Sequence, residues 1–315
     1  MPADFLHRHA EFRNLIAIVA AERAIDPALI EKDYWIMQCL YGLQQLGYSF
    51  QLKGGTSLSK GFQIIDRFSE DIDIRIEPPP GQGVAIGANQ NSAAHRQSRK
   101  SFYDWLAATI RIDGVSEVLR DTQFDDLPNY RGAGIRLIYD EVGQPVDGLK
   151  SGVLLEVGFD DVAPNTPLEI SSWAYDYAVG KVAIIDNRAR GVACYHPGHT
   201  LVEKLQAIST KFRLQSAKAP MPANFMRHYY DVYSLLAHRD VKDFIGTDAY
   251  FAHKRRRFRR DDNPDITAND AFLLTDPAMR ARFERAYDAT AALYYKGRPD
   301  LDVILTEIER WAPRL

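Results

Sequence analysis

Cysteine is scarce: Cys39 and Cys194 are the only two in 315 residues, and they stand in no metal-binding spacing. That excludes a disulfide-stapled scaffold and a cysteine-based zinc module, and it fits a reducing cytoplasm. Long apolar runs are missing as well; no stretch approaches the roughly 20 residues a membrane span needs. Met1 to Arg13 carries Asp4, Arg8, Glu11 and Arg13 without the apolar core of a secretory signal, so a cytoplasmic protein with no membrane attachment is expected. There is no charge excess either: 39 Lys and Arg against 42 Asp and Glu leave a net charge of -3. Whole-chain charge therefore does not point to nucleic acid, and any such contact must come from a local basic patch. What is present is 46% hydrophobic residues, enough for a sizeable core. At roughly 100–200 residues per domain the length allows about two domains.

Phe12, Leu15, Ile16, Val19 and Ala20 recur at helical spacing and predict a helix through about Arg23. Asp26 before Pro27 caps a second helix that runs to Gly47. A short strand, Phe50 to Lys53, breaks at Gly54-Gly55, and Thr56 to Ile65 reads as a helix starting at that turn. Asp71-Ile-Asp-Ile-Arg-Ile-Glu77 alternates with period two, a strand that buries Ile72, Ile74 and Ile76. Pro78-Pro79-Pro80-Gly81 ends it and opens a Pro/Gly/Asn-rich segment, to about residue 95, expected to be mobile. A helix from about His95 to Ile110, strands near Arg131–Tyr139 and Gly152–Phe159, and an extended stretch around Ala178–Asp186 follow. From His199 the pattern is mainly helical: Thr200–Leu214, Ala223–Leu236, Asp276–Tyr295 and Asp300–Trp311, with a proline-containing linker at Ser216–Pro222. The expectation is an α/β domain with N-terminal helices over residues 1–195 and a helical domain over 196–315.

The segment that carries chemistry is Leu52-Lys-Gly-Gly-Thr-Ser-Leu-Ser-Lys60, followed by Arg67-Phe-Ser-Glu-Asp-Ile-Asp-Ile74. Gly54 and Gly55 allow a tight turn and close approach of a ligand. Thr56 and Ser57 would add hydroxyls and N–H groups at a helix start, an anion site, with Lys60 counted among the nucleotide-binding candidates. The segment is not a P-loop, because Lys60 is followed by Gly61 and the glycine required before the lysine is missing. Asp71 and Asp73 leave one face of their strand, and two such carboxylates repel unless a cation lies between them; oxygen donors suit Mg²⁺. A phosphate cradle facing metal-binding carboxylates is what nucleotidyl transfer needs. Glu156, a charge inside an apolar strand, is the candidate third carboxylate; its alternative is an ion pair with Arg136 or Arg131.

These residues are similar to the AbiEii/AbiGii nucleotidyltransferase toxin family of the polymerase-β-like nucleotidyltransferase superfamily. Glu31-Lys-Asp-Tyr-Trp35, Lys53-Gly-Gly-Thr-Ser-Leu-Ser-Lys60 and Arg67-Phe-Ser-Glu-Asp-Ile-Asp73 resemble its N-terminal signatures. Glu203-Lys-Leu-Gln-Ala207 and Arg227-His-Tyr-Tyr-Asp231 resemble its C-terminal ones. The resemblance spans about residues 12 to 240 and implies an α+β fold, a polymerase-β-like core with a mixed sheet followed by a mainly helical region. It implies Mg²⁺ on Asp71 and Asp73, and the triphosphate of a nucleoside triphosphate on Gly55 with Thr56 or Ser57. Lys204 would contact the nucleotide phosphates, and Asp231 would complete the site from the helical domain. Some relatives have Asp where this chain has His228. The resemblance further implies a toxin of a toxin–antitoxin or phage-defence pair with a cognate antitoxin. Its acceptor would be RNA, with the tRNA 3′ end foremost.

The expected reaction moves a nucleoside monophosphate to an acceptor hydroxyl and releases pyrophosphate, with Glu156 or Asp231 helping to deprotonate that hydroxyl. A catalytically quiet nucleotide sensor and a kinase-like phosphoryl transferase are the alternatives. Lys254-Arg-Arg-Arg-Phe-Arg-Arg260 places six cations and one aromatic in a row: either a solvated helix face, or an RNA contact made by Lys254, Arg255, Arg256, Arg257, Phe258, Arg259 and Arg260. His196 and His199 flank a Pro-Gly turn and read as satisfied loop histidines, since zinc wants four ligands.

Overall fold

The computed structural model of the chain describes residues 3–143, 149–215, 221–222 and 225–315. Two compact units emerge, one of Met1–Gly61 and Ser69–Tyr195, the other of Phe62–Phe68 and His196–Leu315.

Unit 1 is built on a mixed seven-stranded sheet in the order β3-β4-β5-β2-β1-β7-β6. Its strands are β1 (Phe50–Lys53), β2 (Asp71–Ile76), β3 (Val115–Asp121), β4 (Gly132–Tyr139), β5 (Val153–Gly158), β6 (Asn165–Ile170) and β7 (Ala189–Tyr195). Helices α1 (Phe12–Arg23), α2 (Pro27–Gln45), α4 (Ala93–Thr109) and α5 (Trp173–Ala178) accompany it, and α3 is a single turn, Gly54–Thr56. The Asp26 carboxylate accepts from the Ala28 N–H at 2.8 Å and Pro27 stands at the first helical position, so α2 starts where the capping pattern places it. α2 is buried over most of its length and packs on β5 and β7.

β2 lies near the middle of the sheet, antiparallel to β1 and parallel to β5. Ile72, Ile74 and Ile76 are fully buried, and each contributes about 1.5–3 kcal/mol by leaving water. A one-residue slip would exchange these isoleucines for Asp71, Asp73 and Arg75, so the core fixes the face on which the aspartates stand.

Unit 2 is helical: α6 (Pro197–Arg213), α7 (Arg227–Ala237), α8 (Arg239–Phe244), α9 (Asp248–Arg257), α10 (Asp270–Leu273), α11 (Pro277–Asp288) and α12 (Leu301–Trp311). α6 packs on α7, α8, α9 and α10, and α12 buries Leu301, Ile304, Leu305 and Ile308 at helical spacing with α7 as its neighbour. No helix among the described residues is long and apolar enough to cross a membrane.

Several local expectations are corrected. The helix expected over Thr56 to Ile65 is the α3 turn running into a π-turn, Ser57–Gly61, after which the chain is irregular. β3 and β6 have no counterpart in the sequence reading. Both are edge strands with mostly solvated side chains, and β6 carries Pro167, which the edge tolerates. The stretch read as extended around Ala178–Asp186 instead follows α5, and the strand comes later as β7. Part of the Ser216–Pro222 linker and the start of the helix expected at Ala223 lie outside the described residues.

The segment expected to be mobile is held by two arginines. The fully buried Arg99 donates to the carbonyls of Ala85, Gln90 and Asn129. Arg131 donates to those of Ile86, Gly87 and Ala88. Five backbone acceptors of the segment gain charged partners this way, which ties it to α4 and to the residue before β4.

Candidate active site

In unit 1 the strand register assembles a row. Asp73 pairs with Lys53 on one side and Glu156 on the other, and Glu156 pairs with Gly134. Directly paired residues share a face, so Lys53, Asp73 and Glu156 stand side by side, with Asp71 on the same face two residues earlier. Gly54 adopts a left-handed φ of +70°, and a Cβ there would meet Asp73 Oδ2 at 2.0 Å. The glycine is thus required twice: for the turn, and because the Asp73 carboxylate lies on its backbone.

The row is short of positive charge. Burial, then the charges of Asp73 and Asp71, push Glu156 up to about 8; Lys53 and Lys150 oppose this only in part. Burial, then Glu70 and Asp73, push Asp71 up to about 6. Neither arginine weighed as a partner for Glu156 takes that role. Arg136 donates to Asp121 Oδ2 at 2.6 Å, and Arg131 is committed to the carbonyls above. The donor set fits a divalent cation: oxygen ligands only, on adjacent strands, with burial and then neighbouring carboxylates raising Asp71 and Glu156, a penalty that a cation would relieve. Among the described residues no three His, Cys, Asp or Glu side chains are gathered at metal-coordinating spacing, so the donors form an open row rather than a closed cage.

A pocket of about 240 Å³ opens on this row, lined by Lys53, Asp73 and Glu156 together with Phe124, Asp126 and Arg131. Small-molecule sites commonly span about 300–1,000 Å³, so this volume accommodates the reacting phosphates rather than a whole nucleotide.

The glycine turn differs in detail from its sequence reading. The Thr56 hydroxyl donates to the Asp71 carbonyl, tying α3 to β2, and Ser57 is fully buried. Their side chains are therefore structural, and the turn can offer a ligand only the backbone N–H groups of its start. Lys60 pairs with Asp33 Oδ1 at 2.5 Å and lies over the Trp173 ring, which fastens the turn to α2. Lys32, one position before Asp33, is buried against Glu70 at 3.6 Å. Lys53 is a site residue that the sequence reading lacks, although alternation along Phe50-Gln-Leu-Lys53 places it opposite the buried Phe50 and Leu52.

Unit 2 carries Lys204 on α6, Asp231 on α7 and Arg67 on Phe62–Phe68, and brings them together. Asp231 is fully buried and accepts from Arg67 Nε at 2.6 Å and Nη2 at 2.7 Å, with Lys204 Nζ at 2.9 Å from its second oxygen. Burial alone would raise its pKa, but Arg67 and then Lys204 outweigh it and hold the carboxyl well below the usual range. A carboxylate so committed is a poor proton acceptor; it fixes the position of two cations. His228 is kept neutral by burial and by Lys204 and Lys211, and its Nε2 lies 2.8 Å from Lys211 Nζ as the acceptor. The residues of the basic run fall on α9 and the turn after it; His196 caps α6 by accepting from the Gly198 N–H.

A family model described as nucleotidyl transferase AbiEii toxin, type IV TA system, matches residues 35–311. No curated protein matches the chain. Among solved structures, an antigenic nucleotidyltransferase-like protein from Paracoccidioides brasiliensis is similar over 88% of this chain and 93% of its own, at 15% identity and a TM-score of 0.37. The family match takes in both aspartates, Glu156, Lys204 and Asp231, and with it the chain belongs to the nucleotidyl transferase AbiEii toxin family of type IV toxin–antitoxin systems.

Proposed function

We propose that this nucleotidyltransferase works with Mg²⁺ and transfers a nucleoside monophosphate from a nucleoside triphosphate to the 3′ hydroxyl of an RNA, with tRNA as the foremost acceptor. In the cell it would be the growth-arresting member of a toxin–antitoxin pair in phage defence, restrained by a cognate antitoxin. The observation that carries the chemistry is the register of Asp73 with Glu156 and Lys53, with Asp71 on the same face.

Asp71 and Asp73 would hold the metal, which when bound activates the attacking oxygen and steadies the departing pyrophosphate. In its ionised form, Glu156 accepts the proton of the acceptor hydroxyl as the hydroxyl oxygen bonds to the α-phosphorus and the bond to the β-phosphate bridging oxygen breaks. Lys53 lies beside Asp73 and offsets charge building on the transferring phosphoryl group. Lys204, positioned by Asp231, takes the phosphate-contacting role of the family pattern. The backbone of Gly54 and Gly55 approaches the triphosphate without side chains in the way.

The test is to incubate purified protein with Mg²⁺ and total tRNA, using each of the four triphosphates labelled at the α- or the γ-phosphate. Transfer of α-label with release of pyrophosphate supports the reading. Transfer of γ-label would make the enzyme a kinase, and nucleotide binding without any product would make it a sensor.

A further inference from the structure

Unit 2 contains a second candidate site, in which the cations of the basic run are not equivalent. Arg257 pairs with Glu203 at 3.4 Å, Arg256 lies 3.0 Å from His253 Nδ1, and Lys254 donates to the Leu315 backbone oxygen. These three are occupied by the fold. Arg255, Arg259 and Arg260 are exposed and have no acidic partner among the described residues. They line one groove of about 830 Å³ together with Phe251, Phe258 and Arg314. Arg314 stacks over the Trp311 ring at 4.7 Å and likewise has no acidic partner among the described residues.

The two acids in the groove offset this charge only in part: Asp262 is spent on an arginine outside the run, and Asp265 supplies a single exposed carboxylate. Asp262 is buried and bound to Arg213 at 2.9 Å, and Asp265 accepts from the Thr267 N–H and hydroxyl at 3.0 and 2.6 Å. Four guanidinium groups against that one exposed carboxylate, on a chain of net charge -3, leave an excess of positive charge around the groove that anions would relieve. The groove is too large for a lone phosphate. Phe251, 42% exposed, presents a large apolar ring among the cations. Spaced cations beside an exposed ring match the alternation of phosphate and base in a single strand, whereas an acidic peptide offers nothing flat for the ring to stack on.

We infer that this groove binds single-stranded RNA, with phosphates on Arg255, Arg259, Arg260 and Arg314 and an unstacked base on Phe251. The inference rests on the RNA-acceptor reading above but is separable from it, since it concerns binding and not transfer.

The test uses the full chain, a fluorescein-labelled single-stranded RNA of mixed sequence, no nucleotide, and anisotropy titrations at several salt concentrations. The Arg255→Gln/Arg259→Gln/Arg260→Gln protein should bind on the order of 100-fold more weakly at low salt. Its log K against log salt slope should be shallower by about 2, at about 0.7 for each phosphate that no longer meets a cation. Phe251→Ala should weaken binding about 10-fold with the slope unchanged, because stacking releases no counterions. Circular dichroism checks that both variants are folded. Unchanged affinity and slope in the triple variant would overturn the inference, even if the wild type transfers nucleotide. Loss of RNA binding in that variant, from a wild type that transfers nothing, would keep the groove and sink the transfer reading. If the wild type binds polyglutamate but not RNA, the groove is a protein-docking surface instead.

Discussion

Glu156 on β5 stands in direct parallel register with Asp73 on β2, and the two nearby arginines, Arg136 and Arg131, are committed elsewhere. Two half-buried carboxylates side by side, with Asp71 two residues away, destabilise the metal-free fold and favour a cation. Asp71→Asn should therefore raise the unfolding temperature in chelator-treated buffer, since it removes one repelling charge. Mg²⁺ should stabilise the wild type, by about 2.7 kcal/mol at a hundredfold excess over Kd, and do much less for the variant. Thermal unfolding with and without Mg²⁺ measures both. A wild type indifferent to Mg²⁺ and Mn²⁺ would count against a metal on this row.

Gly54→Ala tests the turn. The added methyl group meets both a left-handed φ and the Asp73 carboxylate. A loss of at least about 1 kcal/mol in urea unfolding is expected from the backbone alone, with transfer reduced further than stability because Asp73 is displaced. Full activity in this variant would show that the carboxylate need not lie where it does.

Asp231→Asn would leave Arg67 and Lys204 without their shared anion and should cost about 3–5 kcal/mol. Lys204→Met keeps the Arg67 pair and should destabilise less while reducing transfer. The pH dependence has a definite sign. The carboxyl pKa is depressed in the folded state, so its contribution is complete above the unfolded value of about 3.9. It is lost as pH falls below that value toward the folded one. The stability gap between wild type and Asp231→Asn should accordingly be flat near neutrality and shrink below about pH 4 in denaturant titrations.

Arg99→Met would strand the carbonyls of Ala85, Gln90 and Asn129. Limited proteolysis should then cut the 82–91 segment, which the wild type protects. Equal cleavage of the two proteins would mean that the arginine does not hold it.

This segment shows what the sequence conveys and what it does not. Its prolines and glycines announce irregular backbone, but the arginines that restrain it lie outside it, Arg99 on the helix that follows and Arg131 more than forty residues on, just before β4. Asp71 and Asp73 are legible because their strand alternates cleanly and its core face is all isoleucine. Thr56 and Ser57 carry the correct local pattern, yet both are buried, and the Thr56 hydroxyl is taken by the Asp71 carbonyl of β2, a contact that no local rule contains. The pairing of Glu156 with Asp73 depends on a parallel register across about eighty intervening residues, and periodicity fixes faces but not partners. Arg67 and Asp231 meet for the same reason: a short stretch between the glycine turn and β2 packs with the helices of unit 2.

The central claim is that the carboxylate row performs transfer, and the most direct measurement compares wild type with Asp73→Asn for α-label incorporated into tRNA under single-turnover conditions with Mg²⁺. The asparagine keeps the size and the packing on Gly54 while removing the charge. Incorporation should fall on the order of 1,000-fold or more with unfolding temperature maintained or raised. Incorporation by Asp73→Asn at the wild-type rate would contradict the account.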